Sequence, residues 1–246
     1  MSTQTAPGQE GTARRAQRLA YTSWIEQTCR NDPGARTALR NGLRRDLDSA
    51  HVRPMHRLIT PWLPTQRTAS DAEQRAYYTV AAMIASQPRS GYPRNEDPGT
   101  GNAPDTAPEP AAHDTDQPRD NAPAAHTSRY GASLGTAFAL AVIGGPGRDR
   151  DMRQSTAESR LNLLTRQSAN GLHRHLPASV RYLRDLDVPI DWAQLLDDLI
   201  AWPVHSGRIS RRWLQDYYRR LNENTRAKTD EADQQQQATQ DPHTDI

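Results

Sequence analysis

Apolar side chains recur in this chain every three or four residues and rarely at alternate positions, the spacing of helices with one buried face. The pattern predicts a helix over 14–30, with Leu19, Trp24 and Ile25 inward, ended by the turn Asn31-Asp32-Pro33-Gly34. A second runs over 35–46, with Ala35, Ala38, Leu39 and Leu43 on one side. A short helix over 51–60 meets the rigid break Pro61-Trp62-Leu63-Pro64. Ser70-Asp71-Ala72-Glu73 fits a capping box and opens a helix through Tyr77, Val80, Met83 and Ile84. Farther on, 133–143 reads as a small-residue helix stopped at Gly144-Gly145-Pro146. Ser155-Thr156-Ala157-Glu158 reads as a cap before 160–167. Leu172, Leu176, Val180, Leu183 and Leu186 fall within about 120° on a wheel, in a segment holding Pro177. Asp191 caps a helix with Trp192, Leu195, Leu196, Leu199 and Ile200 inward. The last helix, 210–221, turns Trp213, Leu214, Tyr217 and Leu221 inward.

One stretch breaks the pattern. Residues 91–127 hold seven prolines and no Leu, Ile, Val, Met, Phe or Trp, a composition that cannot offset ordering entropy. The predicted fold is therefore all-α: a disordered tail (1–13), an N-terminal helical bundle (14–90), a disordered acidic Pro-rich insertion (91–127), a C-terminal helical bundle (128–224) and a disordered acidic, Gln-rich tail (225–246). Only 35% of the 246 residues are hydrophobic, and none of the apolar runs approaches the roughly 18 residues of a membrane helix. A cytoplasmic protein without membrane partners is expected. The single cysteine, Cys29, excludes an internal disulfide and a multi-Cys zinc site.

The net charge of +2 masks a division along the chain. Residues 1–90 and 128–228 each carry +6, while 91–127 and 229–246 each carry −5. Thirty of the 31 basic residues are arginine, the better bidentate phosphate ligand. On the wheel, Arg36, Arg40 and Arg44 form one stripe. Arg174 and Arg181 lie opposite the leucines of their helix, with Arg184 on the flank. Arg208, Arg212 and Arg219 face away from Trp213 and Tyr217, and Arg211 sits on the flank with Tyr218. One such row is ordinarily a solvated face; several in two basic blocks suit a polyanion. Both readings stand at this level.

Enzyme chemistry finds little support. His173 and His175, two apart, point about 160° from each other on a helix and make a poor metal pair. Asp185, Asp187, Asp191, Asp197 and Asp198 offer carboxylates, but Asp191 reads as an N-cap, and Asp197 and Asp198 read as solvent-facing. Gly144-Gly145-Pro146-Gly147 lacks the following Lys-Ser/Thr of a phosphate loop. No catalytic, metal or cofactor site is expected.

Several stretches together carry a resemblance. They are Val188-Pro189-Ile190-Asp191-Trp192-Ala193-Gln194-Leu195-Leu196-Asp197-Asp198-Leu199, Trp202, and Arg212-Trp213-Leu214-Gln215-Asp216-Tyr217-Tyr218. Before them come Tyr130-Gly131-Ala132-Ser133-Leu134-Gly135 and Glu158-Ser159-Arg160-Leu161. The N-terminal half adds Ala35-Arg36-Thr37-Ala38-Leu39-Arg40-Asn41-Gly42 and Ala76-Tyr77-Tyr78-Thr79-Val80-Ala81-Ala82. In this order they resemble the small subunit (CasB family) of the type I-E CRISPR surveillance complex, Cascade. The resemblance implies a non-catalytic, all-helical subunit. Its basic faces would hold the displaced non-target strand and support the guide RNA–target duplex of an R-loop. The implied partners are the backbone and large Cascade subunits, guide RNA, target DNA, the displaced single strand and a second copy of the chain. Arg36, Arg40, Arg160, Arg166, Arg211 and Arg212 lie on or beside the matched motifs. Arg44, Arg174, Arg181 and Arg208 join them from the wheel alone. Trp192, Trp202 and Trp213 are assigned to core packing.

Two other classes compete. A free-standing helical DNA-binding transcriptional regulator would need a helix-turn-helix, for which 191–220 is the only room. A metal-dependent nuclease would rest on Asp191 and Asp198.

Overall fold

Five helices begin where the sequence supplies a short polar cap. Asp32 serves two helices: its N–H donates to the Thr28 carbonyl as one helix ends, and its Oδ1 accepts from Ala35 N at 2.9 Å as the next begins. Ser70 accepts from Glu73 N (3.2 Å), Ser133 from Thr136 N (3.4 Å), Ser168 from Gly171 N (3.3 Å) and Asp191 from Gln194 N (2.9 Å). Each satisfies an N–H that the helix leaves without a partner, worth about 1 kcal/mol.

The computed structural model describes residues 7–65, 67–88, 131–145, 148 and 150–240. Among them the order is α1 (Pro7–Asn31), α2 (Pro33–Asn41), α3 (Arg53–Ile59), a 3₁₀ turn (Thr60–Trp62), α4 (Asp71–Ala85), α5 (Leu134–Ile143), α6 (Gln154–Thr165), α7 (Ala169–Asp185) and α8 (Trp192–Gln240). No strand occurs among these residues, and the fold is all-α. The acidic, Pro-rich insertion expected over 91–127 lies outside the described residues. No helix is long and apolar enough to cross a membrane.

Three local expectations are corrected. First, α6 opens at Gln154 with no side-chain cap, so the Ser155 box is unused. The entry is fixed from outside instead: Met152 N donates to the Ala141 carbonyl at 2.8 Å, and its side chain is buried. Second, Leu19 is exposed. The buried stripe of α1 runs through Tyr21, Ile25 and Cys29 with Arg18, one position away from Leu19, and a basic residue on the core side concealed it. Third, α1 starts at Pro7 and α8 continues to Gln240, into stretches expected to be tails. Extending a helix already nucleated adds one hydrogen bond per residue fixed, and needs no buried face.

α8 is broken at His205 (φ −125°, ψ 23°), two residues after Pro203. A straight helix would set residues 198 and 213 about 22 Å apart. Yet Trp213 Nε1 donates to Asp198 Oδ2 at 2.7 Å, and the Trp202 and Trp213 rings lie 5.1 Å apart. The helix therefore doubles back, and its two arms correspond to the two helices that the pattern predicts. Pro203 lacks an N–H and crowds the Leu199 carbonyl, which favours the break there.

α4 lies at the centre, against α1, α2, α7 and α8. From Ala76 to Ala85 every residue but Thr79 is buried. One hydrophobic cluster joins residues before the insertion, such as Tyr21, Ile25 and Leu39, to residues after it, such as Phe138, Leu176, Trp202 and Trp213. Trp192, Trp202 and Trp213 are buried, as expected. The Gly131–Gly135 motif has a packing reason. A Cβ on Gly135 would stand 1.8 Å from the Trp213 carbonyl oxygen, so α5 and the second arm of α8 touch backbone to backbone. Gly131 N donates to Gln194 Oε1 at 2.8 Å, tying the motif to the first arm.

Candidate nucleic-acid interface

The predicted arginines divide into those that line a groove, those engaged within the fold and those exposed elsewhere. The groove, about 490 Å³, lies between α2, the end of α4 and α7. Leu43, Met83, Pro177 and Val180 supply apolar wall, and Arg40, Arg44, Arg181 and Arg184 line it without any Asp or Glu. Arg40, Arg44 and Arg181 are exposed. Arg181 keeps a loose pair with Asp185 at 3.8 Å. Arg184 is half-buried: its Nε donates to Gln87 Oε1 (2.8 Å) and its Nη1 to the Val188 carbonyl (2.7 Å). Burial lowers its pKa, but an arginine remains charged.

Arg44 does not extend the stripe of Arg36 and Arg40, because α2 ends at Asn41. A Cβ on Gly42 would lie 2.1 Å from Met55 Sδ, so a larger residue at this turn would have to displace the Met55 side chain of α3. Arg44 follows with φ +60°, a left-handed geometry costing a non-glycine residue about 1–2 kcal/mol. That turn, rather than helical periodicity, places it beside Arg40 in the groove.

Three predicted residues serve inside the fold. Arg36 donates from Nη2 to the Gln87 carbonyl (2.6 Å) and from Nε to the Ala85 carbonyl (3.2 Å), satisfying the end of α4. Arg160 lies over the Tyr182 ring, 4.7 Å from its centroid. Arg212 pairs with Asp198 while part of its side chain still lines a wider groove. Asp198, expected at the surface, is buried; it also accepts from Gln194 Nε2 (2.8 Å) and Trp213 Nε1. The hairpin in α8 is the reason, since it closes the second arm over this carboxylate. Burial raises the Asp198 pKa, against the opposing pull of Arg212, Trp213 and Gln194.

A second, wider groove of about 1230 Å³ lies beside this cluster. Arg208 lines it with Arg14 and Arg67, two residues that the wheel did not select. Its floor is an ion network around the buried Glu73 and Arg18: Glu73 pairs with Arg67 (2.8 Å) and Arg18 (3.6 Å), and Arg18 with Asp197 (3.1 Å). Ser70 forms the cap that its spacing to Glu73 suggested, and the Glu73 carboxylate turns inward to Arg18. Arg166, Arg174 and Arg211 are exposed outside both grooves. His173 is buried, with Nδ1 3.0 Å from Thr79 Oγ1, whereas His175 is exposed.

Comparison with known proteins gives a consistent picture. Residues 35–218 match the family described as CRISPR-associated protein Cse2. Two solved structures, described as a CRISPR RNA-guided surveillance complex and the same in a pre-nicking state, each hold a similar chain. In both cases identity is 30%, the TM-score is 0.66, and the match covers 87% of this chain and 98% of that one. A Cse2-family protein from Thermus thermophilus shares the fold at 20% identity and a TM-score of 0.50, covering 87% of this chain and 99% of its own. No curated protein sequence matches.

Proposed function

The chain belongs to the Cse2 family of CRISPR-associated proteins, and from this premise we propose that it is a non-catalytic subunit of an RNA-guided surveillance complex that steadies the R-loop. One observation carries the reading: Arg40, Arg44 and Arg181, from separate elements, line one groove without a carboxylate. With Arg184 beside them, like charges line one groove and repel one another, and a strand of phosphates relieves that repulsion. Opening a DNA duplex against a guide RNA is nearly balanced in energy, so a few backbone contacts tip it. Sequence selection stays with base pairing. The subunit would act in the cytoplasm beside the backbone and large subunits, the guide RNA, the target DNA with its displaced strand, and a second copy of itself.

The carboxylates that a nuclease would need are otherwise engaged, which supports a role without catalysis. Asp191 caps α8 and pairs with Arg15 at 2.8 Å, and Asp198 accepts three donors. Nothing favours the free-standing regulator. The first arm of α8 buries Trp192, Ala193, Gln194, Leu195, Leu196, Asp198 and Leu199, leaving little face to lie across DNA.

The test is R-loop lifetime in the reconstituted complex across a salt series. Replacing Arg40, Arg44 and Arg181 by Gln is expected to shorten the lifetime. The log–log salt slope should fall by roughly 2–3, since each phosphate contact contributes about 0.7–0.9. An R-loop equally long-lived when the subunit is omitted would overturn the proposal.

A further inference from the structure

On the second arm of α8, beyond the groove-lining Arg208 and Arg212, the residues Arg211, Gln215, Tyr218 and Asn222 follow at i, i+4, i+7 and i+11 and are all exposed. Helical spacing places them on one stripe, with Arg211 and Tyr218 about 10 Å apart along the axis. The stripe holds no carboxylate. The nearest acids on the arm are occupied: Asp216 pairs with Arg219 (3.1 Å) and Glu223 with Arg220 (3.3 Å). Arg211 has no ion pair among the described residues.

Tyr218 is unusual for its size. It is 45% exposed, while its neighbour Tyr217 is fully buried. The two rings meet edge to face, with centroids 5.0 Å apart and planes at 74°. The buried ring thus steadies the exposed one, and a ring already oriented loses little freedom when something stacks on it. Ser210 Oγ donates to the Thr165 carbonyl at 3.1 Å, bringing the end of α6, and the exposed Arg166, to the Arg211 end of the stripe.

We infer that Tyr218 is a stacking platform for an unpaired base of single-stranded nucleic acid, with Arg211 on the adjoining phosphate. A protein partner fits less well, because the stripe has no other apolar side chain to bury. A base needs only one π-face and a nearby cation. The inference rests on the reading of the protein as a subunit that meets an opened strand, but uses none of the groove residues.

The experiment is photocrosslinking in the complete complex. 5-Iodo-2′-deoxyuridine is placed at successive positions of the displaced strand, and crosslinked peptides are mapped. The expected result is attachment at Tyr218 from a few adjacent positions. It should persist in Tyr218→Phe and be lost in Tyr218→Leu, which keeps an apolar side chain without the ring. Tyr218→Leu should also shorten the R-loop lifetime about five-fold, the lower end of base–aromatic stacking, with the salt slope unchanged. If Tyr218→Leu leaves lifetime and crosslinks unaltered while the groove variant shortens the lifetime, stacking is refuted and the groove stands. If omission of the whole subunit also changes nothing, the functional reading falls with it.

Discussion

Asp198 shows how much a single side chain depends on where its neighbours come from. It accepts hydrogen bonds from Gln194, Arg212 and Trp213, and so joins the two arms of α8. In the sequence it is indistinguishable from Asp197 beside it, because its partners become neighbours only when the helix doubles back. The same holds for the arginines: their charge was legible, but not that Arg36 would close α4 or that Arg160 would cover Tyr182. His173 gives a measurable consequence. Burial, with the charge of Arg75, holds its pKa at about 4 rather than 6.5. Between those values the unfolded chain binds a proton that the folded chain refuses, so stability is full above pH 6.5 and falls as pH drops toward 4. Each pH unit crossed in that window costs about 1.4 kcal/mol at most, which makes the whole loss a few kcal/mol. Urea unfolding at pH 7, 5.5 and 4.5 should show a shallower pH dependence for His173→Gln than for the native chain. Parallel curves would assign the effect elsewhere.

Helices were legible where their determinants are local. The caps at Ser70 and Asp191 lie within three residues of the N–H groups that they hold, and a linear reading finds them. Long-range ties escape it, as the Met152–Ala141 bond that starts α6 shows. Gly135 belongs to the second kind, since its reason is the Trp213 carbonyl nearly eighty positions later. Gly135→Ala should force α5 and the second arm apart. A loss at or above the upper end of the about 1–3 kcal/mol typical of overpacking is expected, because the obstruction is backbone. Thermal unfolding would register it, and an unchanged midpoint would mean that the two elements shift freely. The extension of α8 was concealed for a different reason: with no buried face, it has no hydrophobic period to detect.

For the molecule as a whole, the all-helical class followed from periodicity alone. The break in composition that suggests two bundles lies between helices that both pack on α4. Helices from before and after that break lean on it, in one cluster from Tyr21 to Tyr217. The described residues should therefore unfold as a single cooperative unit. Ile25→Ala, at the N-terminal side of the cluster, should shift the loss of tryptophan burial and the loss of helical circular dichroism together, by about 2–5 kcal/mol. Separate transitions would show two independent cores.

The central place of α4 also orders events during translation. Its buried faces await α8, the last helix to be made. At about 5–20 residues per second, a ribosome takes roughly 6–25 s to travel from Ala85 to Trp213. Over that interval the nascent chain carries an apolar helix without its final cover. A chain arrested near residue 200 should remain open to protease across 76–85, and one arrested well past Tyr217 should be protected. Synthesis of the closing helix, rather than of the first, is then the step that commits this protein to its fold.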